Sequence, residues 1–516
     1  MLPRVAGVLI PLFSLRTLED LGRGEIFGLT PMVNFARDMG LALVQLLPLD
    51  ECAPEESSPY SAMSVFAMDP VYISARGLKG VGRVSLANSL QKIAATQGPI
   101  RSAVRPAKLA LLDRAWRASP ERVKRSAQFD RFIAENRDWL DDYALFRVLK
   151  DRFAWSPWEK WPAELRGRDP HALEAARSEL ADPITRYSWF QFIAHRQWSA
   201  MRAYAAENRV MLGGDMAFSP AHDSAEVWAN QVLFDLERTV GAPPDAFNER
   251  GQRWGLPLPK WDAMRADGFK LWRTRARRAA AMYDVLRVDH VVGLFRTFSF
   301  GKDPDAPGSF VPAEEHAQRA QGDEILRALR EAAGGCELIA EDLGSVPPWV
   351  RVLLTALGIP GYKVMQWERE WDAAGERFLK PAAYPELSLA TTGTHDTETL
   401  ATWWERQSAA EREKLVEALE IRDRADPNRP LDETGLDAIL RSLYASPARL
   451  VVPPIQDLFG WNDQINRPGT ISDTNWSYRL PFALEQRGKN SQIQSRVGKL
   501  RALAVDSGRV AGTTKA

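Results

Sequence analysis

The sequence predicts an α/β fold, a (β/α)8 TIM barrel with helical insertion subdomains, and three observations carry that prediction. Short runs recur that are apolar throughout instead of alternating, as strands buried on both faces are. Segments of helical period separate them, the rhythm of parallel strands joined by crossover helices. Eight such runs can be counted, the number that closes a barrel.

Taken in order, Gly7–Phe13 is the first strand, Phe27–Met39 a helix leading to Gly40, and Ala42–Leu47 the second strand. From Glu51 to about Thr185 the rhythm is lost. That stretch opens with the Pro/Ser-rich loop Glu55–Tyr60 and turns helical, with Trp139, Leu140, Tyr143, Phe146 and Leu149 on one face. Residues 51–185 are therefore expected to be a mainly helical insertion within one catalytic barrel spanning 1–516. The rhythm returns with the helix Tyr187–Glu207 and the third strand, Val210–Asp215. Val285–Asp289, Cys336–Glu341, Gly361–Trp367, Leu387–Thr392 and Leu450–Ile455 complete the eight. Gly241–Pro259 and Gly301–Pro312, rich in Gly and Pro, read as long loops of the kind that line or cover a site. Residues 405–448 are charged and helical, broken at Asp426–Pro430, and read as a helical insertion or as outer helices.

Composition narrows the partners. A chain of 516 residues with 45% hydrophobic content buries a core without difficulty. Lys plus Arg equals Asp plus Glu at 67 each, so no global field recruits nucleic acid or an anionic membrane, and the expected partner is uncharged or small. No run approaches the ~18 to 20 apolar residues of a membrane span. Pro3 and Pro11 interrupt the first apolar run, and no small-residue cleavage site follows it. Cys52 and Cys336 have no metal-ligand spacing around them. A soluble protein of the reducing cytoplasm is expected.

In a parallel barrel, reacting groups gather where the strands end and the βα loops open. Asp215 follows strand three, Asp289 strand four, Glu341 strand five and Asp396 strand seven. Arg287 and Asp289 stand at i and i+2 and so share a face, where the guanidinium keeps the carboxylate ionised. Glu341 follows Leu338, Ile339 and Ala340, an apolar approach that raises a carboxyl pKa by desolvation. Any one of these acids could be an ion pair, a helix cap or a loop anchor. Together they fit glycosidic cleavage, in which one ionised and one protonated carboxyl flank the bond and a third acid faces the developing positive charge. Of the 18 Trp, Trp254, Trp261, Trp367 and Trp461 fall on expected loops, where a flat ring can meet the C–H face of a sugar, and for most of these core packing is the expectation. Trp254 differs, because flanking glycines in Gly251-Gln-Arg-Trp-Gly255 suit an exposed turn. A metal-dependent barrel enzyme, with Asp215, Asp289 and Glu341 around Mg²⁺, uses the same acids differently.

An ordered set of motifs resembles the amylomaltases, or 4-α-glucanotransferases, of glycoside hydrolase family 77. It includes Ser58-Pro-Tyr60, Gly214-Asp215, Pro243-Pro-Asp245, Gly251-Gln-Arg-Trp-Gly255, Arg287-Val-Asp-His290, Ala340-Glu-Asp-Leu-Gly344, Thr394-His-Asp396 and Asn466-Arg-Pro-Gly-Thr470. The resemblance implies a retaining double displacement on α-1,4-glucans, with maltooligosaccharides or glucose as donor and acceptor and no metal or organic cofactor. By it, Asp289 is the nucleophile, Glu341 the acid and base, and Asp396 the transition-state stabiliser. Arg287 orients the nucleophile, and Tyr60, Asp215, Gln252, Trp254, His290, His395 and Asn466 contact sugar. An α-glucan hydrolase using the same acids is the near alternative. The chain departs from the family pattern at Met216–Pro220, at Leu256–Lys260, at Val291-Val292 and at Thr397, positions expected to shape acceptor sites and access.

Overall fold

All eight apolar runs become strands in the computed structural model, which describes residues 3–94, 100–119, 121, 126–244, 250–303, 305–370 and 376–510. They are β1 (Val5–Leu9), β2 (Leu43–Gln45), β3 (Met211–Met216), β4 (Val285–Val288), β5 (Glu337–Ala340), β6 (Gly361–Val364), β7 (Ser388–Thr391) and β8 (Leu450–Val451). Their spatial order is β5-β4-β3-β2-β1-β8-β7-β6, and every neighbouring pair is parallel. Between the two ends of that order, the Ala340 N–H donates to the Pro360 carbonyl at 2.8 Å, just ahead of β6. The result is the expected (β/α)8 barrel, nearly closed. Side chains on both faces of β1, β2, β4 and β7 are buried, which is why these runs carry no polar alternation.

Register decides what stands at the rim. Asp215 pairs with Arg287 across β3 and β4, and Val288 pairs with Ala340 across β4 and β5. Asp289 and Glu341 are thus the first residues past the ends of adjacent strands. Their backbone N–H groups donate back to Met216 O at 3.1 Å and Val288 O at 3.0 Å, extending the ladder by one residue.

Between β2 and β3 the chain makes an antiparallel pair, Asp50–Cys52 with Ala62–Met68, before turning helical. The connection between those two strands carries Tyr60. Helices Ala127–Arg152 and Ala181–Glu207 pack together, and Trp139, Leu140, Tyr143, Phe146 and Leu149 all lie buried on the first. Buried Glu51 ties the pieces together, accepting from Tyr143 Oη at 2.5 Å and Arg147 Nε at 3.1 Å. Past β7, helices Leu400–Arg406, Ala409–Leu419 and Glu433–Tyr444 occupy the charged stretch, and the Asp426–Pro430 break is a turn in which Asp426 Oδ1 accepts from the Asn428 N–H at 2.9 Å.

Both long-loop expectations are corrected. Gly241–Pro259 is not a long loop: Gln252–Pro259 is an eight-residue strand, antiparallel to Phe234–Ala242, in a four-stranded sheet with Thr297–Phe300 and Ser309–Val311. The Gly301–Pro312 stretch likewise gives up Ser309–Val311 to that sheet. Gln252–Pro259 lies at the edge of the sheet, where Pro257 and Pro259 need not donate to a further neighbour, and so its proline content misled. Asp245, part of the Pro243-Pro-Asp245 motif, lies outside the described residues. No helix among the described residues is long and apolar enough to cross a membrane.

Candidate active site

Arg287, third residue of β4, is the hub of the site. Its Nη1 donates to both Asp215 oxygens at 2.8 Å and lies 2.9 Å from Asp289 Oδ1, while Nη2 lies 3.9 Å from Glu341 Oε2. One buried cation therefore serves carboxyl groups from the ends of three adjacent strands. Tyr60 reaches in from the inserted loop, its hydroxyl donating to Asp215 Oδ2 at 2.7 Å and its ring stacked on His395 at 5.1 Å. Asp215 ends up sealed behind Arg287 and Tyr60, with none of its side chain exposed. A direct sugar contact, which the resemblance implied for it, is not open to it here; the reason is that its oxygens are taken by those two partners. Burial pushes the Asp215 carboxyl up, against the pull of Arg287.

Because Arg287 neutralises a fully buried carboxylate, its loss is costly. Arg287→Met is expected to destabilise the fold by about 3 to 5 kcal/mol, the usual penalty for leaving a buried charge unpaired. Urea denaturation checks this, and a variant within about 1 kcal/mol of wild type contradicts the hub role.

Glu341 is held by backbone. The His290 N–H donates to Oε2 at 2.7 Å and the Leu343 N–H to Oε1 at 3.3 Å. His290 aims its N–H there by adopting φ +46°, a left-handed conformation uncommon for a residue with a Cβ. Burial pushes the Glu341 carboxyl up to about 8, the Asp289 charge adding to the rise while Arg287 and the His290 N–H oppose it. Burial also lowers the His290 imidazole to about 4, so it is neutral at neutral pH. Gly293 makes room for this geometry, since a Cβ there would meet His290 Cδ2 at 2.6 Å and the Phe218 ring at 2.7 Å. Gly293→Ala is expected to cost about 1 to 3 kcal/mol through that overlap and to lower activity by displacing His290; thermal denaturation alongside turnover measures both.

Asp396 sits on the turn after β7. Thr397 Oγ1 accepts from the Thr394 N–H at 2.9 Å and donates to the Thr394 carbonyl at 3.1 Å, fixing the turn from within. Asn466 Nδ2 donates to Asp396 Oδ1 at 2.7 Å, and His395 Nε2 lies 3.3 Å from Oδ2. Desolvation works to raise the Asp396 carboxyl, but His395 and Asn466 outweigh it and hold it below the usual carboxylate range.

These groups open into one cleft with an empty volume of about 2670 Å³, partly open to solvent. Tyr60, Gln252, Trp254, Arg287, Asp289 and His290 line it, as do Glu341, His395, Asp396 and Asn466. Every catalytic or sugar-contact residue that the resemblance implied is thus brought to this cleft except Asp215, which stands directly behind it. Trp254 stands on the edge strand instead of in an exposed turn, half-buried between Gly251 and Gly255, both at φ +71°, and meets His290 edge-on at 4.8 Å. Of the other Trp, Trp367 lines the cleft and is 45% exposed, whereas Trp261 is core, donating to Thr297 Oγ1 at 3.1 Å. Two aromatic walls went unread in the sequence: Phe218, edge-on to His290 at 5.4 Å, and Trp476, beside His395 at 5.7 Å. Neither lies in a periodic or glycine-flanked pattern; the one hint was an aromatic, Trp476, amid the polar segment following Asn466. Leu256 does line the cleft, but Val291 and Val292 are buried and do not, so that departure changes packing beneath the site.

Comparison with known proteins agrees with the geometry. Residues 10–485 match the family Glyco_hydro_77, described as 4-alpha-glucanotransferase. The chain is 34% identical over 498 residues to a 4-alpha-glucanotransferase of Thermus thermophilus, covering 93% of this chain and 95% of that one. It is 30% identical over 509 residues to that of Chlamydia pneumoniae, covering 96% and 94%. Among solved structures it is similar to amylomaltase from Streptococcus agalactiae in complex with acarbose, with a TM-score of 0.84 and 26% identity, covering 98% of this chain and all of that one. A match of this extent, on a barrel whose rim gathers the acids of the family motifs, means that the chain belongs to glycoside hydrolase family 77, the 4-alpha-glucanotransferases.

Proposed function

We propose that this family member disproportionates α-1,4-glucans by a retaining double displacement in the cleft around Arg287. An Asp289 oxygen attacks the anomeric carbon, and the bond to the departing glucan breaks as Glu341 gives its proton to that oxygen. Asp396, acting through hydroxyls of the central sugar, stabilises the oxocarbenium-like transition state. In the second step Glu341 takes the proton of an acceptor's 4-hydroxyl while that oxygen attacks the anomeric carbon and Asp289 departs. The observation that carries the reading is the pairing of environments: Asp289 ion-paired to Arg287 at 2.9 Å, beside a Glu341 whose carboxyl is pushed up to about 8. An acid held against a guanidinium, beside a carboxyl that burial keeps protonated, is what acid-assisted displacement requires.

Arg287 and Asp215 act by positioning, whereas Tyr60, Gln252, Trp254, His290, His395 and Asn466 face the sugar. The aromatic surfaces of Trp254 and the exposed Trp367 hold donor and acceptor chains at the reacting centre, favouring a sugar hydroxyl over water. Maltooligosaccharides serve as donors and maltooligosaccharides or glucose as acceptors.

Product analysis from maltotriose tests the reaction: a ladder of longer and shorter glucans supports transfer, and glucose with maltose alone supports hydrolysis. The metal reading is disfavoured because the cation among Asp215, Asp289 and Glu341 is the Arg287 guanidinium, fixed by its own strand. Full activity in a strong chelator is the matching expectation.

A further inference from the structure

Outside the cleft, a second groove opens between helix Glu433–Tyr444, the C-terminal helix Ser491–Asp506 and the turn that follows helix Ile455–Phe459. Its cavity volume is about 390 Å³, partly open to solvent, within the range of small-molecule sites. One wall is an aromatic platform: Phe459 and Trp461 stack with ring centroids 4.7 Å apart and planes 21° from parallel, both half-buried. The Trp461 N–H donates to the Gln456 carbonyl at 2.9 Å, holding the platform to the short helix.

Beside it lies Arg496, only 5% exposed. Its Nε donates to the Leu458 carbonyl at 2.6 Å and its Nη1 pairs with Asp437. Its Nη2, however, is buried with no partner among the described residues. An unsatisfied buried donor carries the full cost of its desolvation and marks where an acceptor belongs. Asp432 and Glu433 line the same groove, so the local charge does not favour an anion there. Gln492 and Ser495 add exposed polar groups along the C-terminal helix. A flat ring pair, a spare donor and a polar rim without net positive charge suit a neutral polyhydroxylated ligand with an apolar face, which describes a glucosyl unit.

The groove is also connected to the cleft. Five residues of chain lead from Trp461 to Asn466, whose side chain bonds Asp396; that segment spans at most about 18 Å. We propose that this groove is a second α-glucan-binding site, which holds one part of a long chain while another part occupies the cleft. The ligand class rests on the function proposed above. Two contacts on one chain raise its apparent affinity without altering the chemistry of short substrates.

Two variants test the site: Trp461→Ala removes the platform, and Ser495→Trp, at an exposed helix position, fills the groove without touching the core. Migration of the full-length protein in native gels containing amylopectin reads long-chain binding, and initial transfer rates on maltotriose read the cleft. Both variants are expected to lose at least fivefold in apparent affinity for amylopectin while keeping maltotriose rates within twofold of wild type. Retardation equal to wild type in Ser495→Trp overturns the proposal. So does a parallel loss of amylopectin binding and maltotriose transfer, which traces the effect to the cleft through the connecting segment. If the glucan reading itself is wrong, the wild-type protein transfers nothing from maltotriose, a distinct result.

Discussion

Asp289→Asn is expected to lower transfer from maltotriose by on the order of 10³-fold or more while leaving the fold intact, since a nucleophile and its partners act as a unit. Asn is nearly isosteric with Asp, so an oxygen can still stand near Arg287 Nη1, and Asp215 keeps both of its bonds to that guanidinium. The variant should therefore melt close to wild type. It should also shift its neighbour: the Asp289 charge helps to raise Glu341, so neutralising it lowers the pH at which Glu341 releases its proton. Steady-state rates and thermal denaturation suffice as measurements. Turnover within tenfold of wild type would remove Asp289 from the nucleophile's role.

Glu341→Gln is expected to cost about 10²- to 10⁴-fold on maltotriose, the usual contribution of general acid–base catalysis. With α-glucosyl fluoride, whose leaving group needs no proton, the first step should survive and a glycosyl adduct on Asp289 should accumulate, because the second step lacks its base. Mass spectrometry of the quenched enzyme reads this, and an equal loss on both substrates argues against Glu341 as the acid. In wild type, kcat/KM should fall as the pH rises through about 8, where Glu341 loses its proton, and that limb should vanish in the variant.

The same shift bears on stability. The Glu341 carboxyl is raised from 4.5 to about 8 in the folded chain, so the fold holds that proton more tightly than the unfolded chain does. Its stabilising contribution is complete below about pH 4.5 and is lost as the pH rises to about 8. Glutamine cannot ionise, so Glu341→Gln should melt higher than wild type above pH 8 and show no such gain at pH 4. A site that trades stability for a protonated acid behaves in this way.

Sequence alone determined a good deal. The eight strands were legible because burial on both faces leaves an unbroken apolar run, which is a local property. The acids were legible because a carboxylate directly after such a run falls on the barrel rim, and the i, i+2 spacing of Arg287 and Asp289 already put them side by side. Tertiary structure decided the rest. That Arg287 also grips Asp215 and approaches Glu341 follows from strand register, which no single segment encodes. Asp215 is sealed because Tyr60, 155 residues earlier, closes over it. Gln252–Pro259 pairs as an edge strand against its own local composition, and Phe218 and Trp476 reach the cleft from loops without periodicity. Period and composition report which side chains are buried on one element; which elements meet is set by packing between residues far apart in the chain, and that is where the site was completed.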